Sequence, residues 1–287
     1  MKTIYIPFTY DTFKLVFEDD AFGENFFATF QASSAPPGTI EHTIEVMGSN
    51  TIYRLSLDGV PVSNELLRDE AAYRVTTIIG DNICSHVCES ICIMHASSVL
   101  FDNEVVAFSG VSGSGKTTLS LLFSQYGHYL GDEYAFLDLT SGHLWHERHP
   151  YQLKASNAAD MISDLSTPEI LPVRGEPFGQ AYYASLATTN HIKADNKPAK
   201  VLKTLVFPHF ERSCQRTSVE RLPISKLPPF ILQSLMGQDS PSALFKRFVQ
   251  LAANQRIQFL EVCFSNGEDA AEVLYKFVST KKGALQE

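Results

Sequence analysis

Long apolar runs are missing from this sequence. No stretch approaches the roughly 18 apolar residues that a transmembrane helix needs, and Pro7, Asp11 and Lys14 interrupt the start of the chain, which excludes a signal-peptide pattern. The 5 cysteines lack the spacing of a secreted disulfide framework, and Cys214 and Cys263 are isolated from the others. We therefore expect a cytoplasmic protein without a membrane partner.

Basic residues are scarce in the first third of the chain. Residues 1–92 contain 5 Lys and Arg against 13 Asp and Glu, a balance of −8 that argues against general nucleic-acid binding. Residues 191–226 contain 8 basic and 3 acidic residues, a balance of +5. This basic segment is either an ordinary solvated surface or a site for an anionic substrate or for nucleotide phosphates.

A glycine-rich stretch, AFSGVSGSGKTTLS at residues 107–120, gives the strongest functional signal. It fits G-x-x-x-x-G-K-[ST], the Walker A motif, in which backbone N–H groups and a helix N-terminus bind phosphate oxygens. A strand-type run precedes it, and a run with Leu119, Leu122 and Phe123 at helical spacing follows it. We therefore predict nucleotide binding by Gly110, Ser112, Gly113, Ser114, Gly115, Lys116, Thr117 and Thr118.

Two positions compete for the role of metal-side acid. Lys116 would place its charge at the β- and γ-phosphates of ATP, and the Thr117 hydroxyl would ligate Mg²⁺. Asp132 and Glu133 form an acidic pair soon after the predicted helix, whereas Asp138 ends the apolar run YAFLD. We favour the pair, which makes Thr117, Asp132 and Glu133 the predicted metal ligands and ATP and Mg²⁺ the predicted cofactors. Which acid of the pair is the base stays open.

The sequences HASSV at residues 95–99, GVSGSGKTTLS and GHYLGDE together resemble the HPr kinase/phosphorylase family of bacterial protein-serine kinases. The loop and the acidic pair are also similar to ATP-dependent phosphoenolpyruvate carboxykinase, whose nucleotide core has the same architecture. The resemblance covers residues 93–178, with a weaker similarity further on to HPr-kinase-related proteins, some of which phosphorylate lasso-type peptides. It implies an α/β fold, a P-loop kinase core with a mixed β-sheet after a β-rich N-terminal part.

The resemblance also implies roles for individual residues. His95 matches a histidine beside the catalytic acid, and Asp132 and Glu133 match an acidic pair, of which one member takes the proton from the acceptor serine. Arg174 in LPVRG and Lys154 in YQLK would add positive charge near the transferred phosphoryl group. These five are the predicted catalytic residues.

One position departs from the family pattern. Pro172 stands where the family has a metal-binding glutamate, so that Glu169 or Glu176 would have to replace it, or the site uses fewer ligands. The resemblance therefore does not settle whether a phosphorylase activity reverses the reaction.

These signals predict an ATP-dependent kinase, a phosphotransferase that acts on a serine-type hydroxyl of a peptide or protein, such as a lasso-type peptide. A kinase of a small hydroxylated metabolite and a nucleotide-binding switch with little turnover are the alternatives. We expect a β-rich N-terminal region ending in a helix at residues 1–92, and a kinase domain at residues 93–287 with a mobile loop near residues 174–200. The acceptor and the oligomeric state, a homo-oligomer included, stay open.

Overall fold

The computed structural model describes residues 1–7, 12–30, 32, 34, 39–49, 51–85, 88–146, 151–154, 169–175, 179–185 and 200–283. These ranges form a mixed α/β fold with mixed sheets and contain six α-helices, which confirms the predicted α/β class and mixed sheet. Within the same ranges, every helix is too short or too polar to cross a membrane.

The elements follow one another along the chain in this order. The strands are β1 (Lys2–Pro7), β2 (Thr12–Phe17), β3 (His42–Ser49), β4 (Ile52–Leu57), β5 (Val60–Leu66), β6 (Ile91–Phe101), β7 (Glu104–Ser109), β8 (His128–Gly131), β9 (Tyr134–Asp138), β10 (His143–His146), β11 (Tyr151–Lys154), β12 (Glu169–Gly175), β13 (Gly179–Ser185), β14 (Lys200–Phe210), β15 (Ser218–Arg221), β16 (Leu235–Met236) and β17 (Gln258–Phe264). The helices are α1 (Asp20–Phe30), α2 (Arg68–Ser85), α3 (Lys116–Phe123), α4 (Pro228–Ile231), α5 (Pro241–Gln255) and α6 (Gly267–Gly283).

The chain divides into two compact units, and each is built from two segments. The first unit is Met1–His86 with Arg148–Thr189, and the second is Val87–Glu147 with Asn190–Glu287. This division differs from the expected one, which placed a single boundary at residue 92. The reason is that β12, far along the chain, packs against α1 and α2 of the first segment.

The first unit contains a five-stranded sheet in the order β1-β2-β3-β4-β5, antiparallel except for the parallel pair β2–β3. Alternate residues of β2 turn into the core, among them Phe13, Leu15 and Phe17, which are fully buried. This period of two is what a strand with one covered face requires. On α1, Phe22 and Phe26 are buried as well and pack on the Phe17 ring.

A second, three-stranded antiparallel sheet of this unit has the order β11-β13-β12. It takes in residues 174–175 and 179–185, where the sequence led us to expect a mobile loop. Leu171, Val173 and Ala181 are buried. A few isolated apolar residues are therefore enough to pack these strands. The rest of the expected loop, residues 176–178 and 186–199, lies outside the described residues.

The second unit is a larger mixed sheet in the order β10-β9-β6-β7-β14-β17-β15, and β8 and β16 also pair with β6. Strands β7, β14 and β17 are parallel neighbours. One face of the sheet packs on α5 through Phe248 and Leu251. On the other face, the Phe108 ring of β7 lies 5.7 Å from the Phe123 ring of α3, centroid to centroid.

The long strand β6 determines which loops come together. Its first half pairs with β9 and its second half with β7 and β8. The register sets His95 opposite Tyr134 of β9, and sets the next residue, Ala96, opposite Ser109 at the end of β7. The start of the glycine-rich loop and the acidic pair therefore lie beside His95, near the middle of β6.

Candidate functional site

The glycine-rich loop, residues 110–115, connects β7 to α3 and needs glycine for two different reasons. Gly113 has φ +83° and open space around it, so only its backbone conformation disfavours a side chain. Gly115 has φ +95°, and a Cβ there would lie 2.7 Å from Cζ of Phe264. A side chain at Gly115 would therefore meet both backbone strain and a packed aromatic ring.

Lys116 begins α3, and its ammonium group turns back over the loop. The Nζ atom donates hydrogen bonds to the carbonyl oxygens of Gly110 at 2.9 Å and Val111 at 3.3 Å. The residue is only 7 % exposed. A buried positive charge thus lies beside the N-terminus of α3, where backbone N–H groups lack helical partners. This combination is suited to binding an anion such as a phosphate group.

Thr117 and Asp132 join the loop to the acidic pair. The Thr117 hydroxyl donates to one carboxylate oxygen of Asp132 at 2.8 Å, and the backbone N–H of Glu133 donates to the other at 2.9 Å. Asp132 is 1 % exposed, and its burial, followed by the negative charge of Glu133, raises its pKa to about 6. A cation at this position would relieve the cost of that buried charge.

Glu133 is held differently from its neighbour. Its φ of +67° is in the left-handed region, which a non-glycine residue adopts at a cost and which is found preferentially at functional sites. Its Oε2 atom lies 2.8 Å from Nε2 of His95, and the two side chains are 27 % and 35 % exposed. The backbone of His95 is fixed on both sides, because its N–H donates to Ser234 and its carbonyl accepts from the Ser109 hydroxyl. The pair therefore offers a positioned carboxylate that a substrate can reach.

The competing acid, Asp138, lies at the opposite end of β9 and stabilises a turn. Its carboxylate accepts hydrogen bonds from the Thr140 and Ser141 backbone N–H groups and from the Ser141 hydroxyl. Burial favours a higher pKa for Asp138, but the hydrogen bonds from Ser141 and Thr140 outweigh it and lower the pKa. The structure places Asp132, and not Asp138, next to Thr117.

Two of the predicted catalytic residues belong to the first unit. Arg174 in β12 has its Nε atom 3.3 Å from a carboxylate oxygen of Asp69 on α2. Lys154 lies in β11, and its side chain, like the whole of Glu176, lies outside the described residues. The structure does not bring Arg174 or Lys154 together with the loop within one unit, and their catalytic roles stay predictions.

The glycine-rich loop also rests on the ends of two strands that the sequence did not connect with it. At the end of β14, the Phe210 N–H donates to the Ser114 carbonyl at 3.1 Å. At the end of β17, the Phe264 ring fills the space beside Gly115, and it lies 5.7 Å from the Phe210 ring between centroids. Both residues follow apolar strand runs, but their approach to the loop depends on the parallel order of β7, β14 and β17.

His146 is a further residue that the sequence did not assign to the site. It ends β10 and packs against Gly131, where a Cβ would lie 2.6 Å from Cγ of the imidazole. Burial lowers the pKa of His146 to about 3, so the ring is neutral at physiological pH. A neutral ring here keeps the space beneath the acidic pair filled without adding charge, and Gly131 is the residue that makes room for it.

Comparisons with known proteins leave the site to be interpreted from its own geometry. No protein-family model and no curated protein matches this chain. The resemblance to the HPr kinases stays a prediction from the sequence. The residues that carry it, which are His95, the glycine-rich loop and the acidic pair, lie together in the second unit.

Proposed function

We propose that the chain is an ATP-dependent kinase with a P-loop core of the HPr kinase type, and that it transfers the γ-phosphoryl group to a hydroxyl group of a peptide or protein. The observation that carries the proposal is the 2.8 Å contact between the Thr117 hydroxyl and the buried carboxylate of Asp132. It joins the glycine-rich loop and the acidic pair into one site. The peptide or protein acceptor rests on the sequence resemblance.

The loop supports binding of the nucleotide phosphates. Gly113 and Gly115 let the backbone turn its N–H groups toward an anion, and α3 adds its N-terminus. Lys116 would exchange the carbonyl oxygens of Gly110 and Val111, its partners at 2.9 and 3.3 Å, for phosphate oxygens. Hydrogen bonds between ammonium and phosphate groups are charge-assisted and stronger than those to carbonyls, which favours this exchange.

Thr117 and Asp132 would hold the magnesium ion. Both offer oxygen atoms, which hard cations prefer, and Mg²⁺ commonly keeps several waters and takes few protein ligands. Among the described residues, no group of three or more His, Cys, Asp and Glu side chains is arranged to hold a metal ion by itself, so water and phosphate oxygens would complete the coordination. The bound ion would neutralise charge on the β- and γ-phosphates.

Exposure separates the roles of the two acids. Asp132 is 1 % exposed and bonded to Thr117, which suits a metal-side carboxylate. Glu133 is 27 % exposed and is held by His95 at 2.8 Å, which suits a base that meets a substrate hydroxyl. We therefore assign proton abstraction from the acceptor hydroxyl to Glu133 and the orientation of its carboxylate to His95.

Binding and transfer assays on two variants test the proposal. Purified chain should bind Mg·ATP, and γ-labelled ATP should phosphorylate members of an array of serine-containing peptides. Glu133→Gln should lower the transfer rate by about 10²–10⁴, the usual effect of losing a general base, while Mg·ATP affinity stays nearly unchanged. Asp132→Asn should raise the Mg²⁺ concentration needed for half-maximal transfer.

Asp138→Asn is the matched control, because it removes a carboxylate at the other end of the same strand. It should leave affinity and transfer unchanged. Failure of the unmodified chain to bind Mg·ATP would refute the kinase proposal. A larger effect of Asp138→Asn than of Asp132→Asn would assign the metal-side role to Asp138. Binding of Mg·ATP without any phosphoryl transfer would favour the alternative of a nucleotide-binding switch.

A further inference from the structure

Cys214 and Cys263 are distant in sequence but adjacent in the second unit. Their sulfur atoms lie 3.6 Å apart, although 49 positions separate them along the chain. Cys263 belongs to β17, and Cys214 lies in the turn between β14 and β15. Both residues are half-buried, so a small oxidant can reach them while a large one meets steric resistance.

We propose that Cys214 and Cys263 are a redox modification site, at which a reversible disulfide forms and weakens ATP binding by the glycine-rich loop. The disulfide itself follows from the geometry of the two thiols. Its effect on ATP rests on the proposed function.

The turn that carries Cys214 is already held in place for this bond. The Cys214 N–H donates to Glu211 at 3.0 Å, and the Ser265 hydroxyl donates to the Cys214 carbonyl at 2.7 Å. An ordinary disulfide has its sulfur atoms about 2.05 Å apart, so the two need to approach by roughly 1.5 Å. Side-chain rotation with a small backbone shift supplies such a movement.

A metal ion fits the two thiols less well than a disulfide does. Soft metals bound by thiolates need three or four protein ligands in a closed site. In the part of the chain that the structure describes, no third or fourth His, Cys, Asp or Glu joins these sulfurs in a metal-binding arrangement.

The oxidant fitted to this site is a hydroperoxide. With hydrogen peroxide, the Cys214 thiolate attacks one peroxide oxygen and the O–O bond breaks. A sulfenic acid forms, and the departing hydroxide takes up the proton that the thiol had lost, which gives one water. The Cys263 sulfur then attacks the sulfenic sulfur, the S–S bond forms, and the hydroxyl group leaves with the Cys263 proton as a second water. Two thiols are oxidised and one peroxide is reduced. Burial raises the pKa of Cys263 to about 11, so it retains its proton until this second step.

The end of β17, which carries Cys263, and the end of β14, which leads into the turn of Cys214, also support the loop. Phe264 follows Cys263 directly and fills the space beside Gly115, and the Glu211 N–H donates to the Phe264 carbonyl at 2.9 Å. Phe210, next to Glu211, donates to Ser114 of the loop. Drawing the sulfurs together shifts these strand ends, and the loop cannot follow without losing alignment of its N–H groups.

Oxidation of the full chain tests both parts of the proposal. The chain is treated with hydrogen peroxide at stoichiometric concentration, digested without reduction and mapped by mass spectrometry, and Mg·ATP affinity is measured before and after. We expect a Cys214–Cys263 linkage with loss of two hydrogens and reversal by dithiothreitol. The melting temperature should rise by about 5–10 °C, as for a disulfide closing a long loop. Mg·ATP affinity should fall about three- to tenfold, the effect of one lost hydrogen bond.

Single-cysteine variants provide the controls. Cys214→Ser and Cys263→Ser should both abolish the linkage and the affinity change, whereas Cys88→Ser, which removes an exposed thiol on another segment, should preserve both. Mapping on the unmodified chain stands alone if a variant does not fold.

Each part of the proposal has its own contrary result. Peroxide that modifies Cys88 while Cys214 and Cys263 stay as thiols would overturn the disulfide. A disulfide that forms without changing Mg·ATP affinity would overturn the coupling to the loop. If the reduced chain does not bind Mg·ATP at all, the proposed function fails, and the mapping and melting shift still decide the disulfide.

Discussion

In the first unit, the buried Tyr53 hydroxyl donates to Asp19 at 2.6 Å, and this hydrogen bond lowers the pKa of Asp19. In the second unit, burial raises the pKa of Asp132, and Lys116 is buried against backbone carbonyls. The first arrangement stabilises the fold, whereas the second works against it in the absence of a ligand. Groups that are buried at a cost to folding, and grouped on a loop and strand ends, are where a functional site is expected.

Lys116→Met should have the largest effect. We expect Mg·ATP-dependent transfer to fall by about 10³ or more, because the charge acts on phosphate oxygens as they gain negative charge. Phosphoryl transfer from labelled ATP measures the effect on function, and thermal melting measures the effect on stability. Lys203→Met is the control, since its Nζ also donates to a carbonyl, that of Gln255 at 2.8 Å, in the same unit. Equal losses in the two variants would remove any special role of Lys116.

Gly115→Ala should destabilise the protein by about 2–4 kcal/mol, because a left-handed residue costs about 1–2 kcal/mol and overpacking against the Phe264 ring adds a similar amount. Gly59→Ala in the first unit is the matched control. Its φ is +78° with open space around it, so only the conformational cost applies. Urea denaturation of both variants would separate the backbone cost from the cost of overpacking, and Mg·ATP titration would show whether the loop still binds the nucleotide. Equal losses of unfolding free energy in the two variants would argue against the contact with Phe264.

Asp132→Asn should stabilise the protein without ligand by about 2 kcal/mol at pH 7.5. The folded pKa of Asp132 is about 6 against 3.8 when unfolded, so its contribution is fully present below about pH 4 and is lost as the pH rises through 6. The difference in unfolding free energy between the variant and the unmodified chain should therefore grow as the pH rises from about 4 to above 6. Asp138 has a lowered pKa, so Asp138→Asn should lower stability at pH 7.5. A gap independent of pH would contradict the raised pKa.

Tyr53→Phe should have the smallest effect, a loss of about 1 kcal/mol of unfolding free energy at pH 7. The hydrogen bond from Tyr53 lowers the pKa of Asp19, so its contribution is present above the unfolded pKa of 3.8 and is lost as the pH falls below it. Urea denaturation at pH 7 and pH 3 would show that the difference in unfolding free energy between the variant and the unmodified chain becomes smaller at the lower pH. Mg·ATP affinity should not change, and a change would mean that the two units do not divide stability and function as we infer.

Local sequence was enough for the parts of the site that lie close together along the chain. The strand, the glycine-rich loop and α3 are consecutive, and the turn between β6 and β7 is too short to place His95 anywhere but near the end of β7. Asp132 follows Lys116 after one helix and one short strand. Periodicity and motif spacing carry such relations because few residues intervene.

Other contacts depend on strand order, which no single segment records. Phe264 reaches Gly115, and Cys263 reaches Cys214, only because β17 lies beside β14. In the same way, β12 belongs with α1 and α2, and Arg174 pairs with Asp69, across about a hundred positions of sequence. Pairings of that range are decided by the whole sheet.

The interleaved course of the chain has a consequence for synthesis on the ribosome. Residues up to 189 must emerge before the first unit can be completed, and by then β6 to β10 of the second unit have already left the exit tunnel. At that moment β7 still lacks β14 and β17, which begin at Lys200 and Gln258. One edge of a buried, apolar strand is open to other chains during this interval. We expect nascent chains stalled after residue 189 has left the tunnel, but before β14 has, to be the most dependent on chaperones.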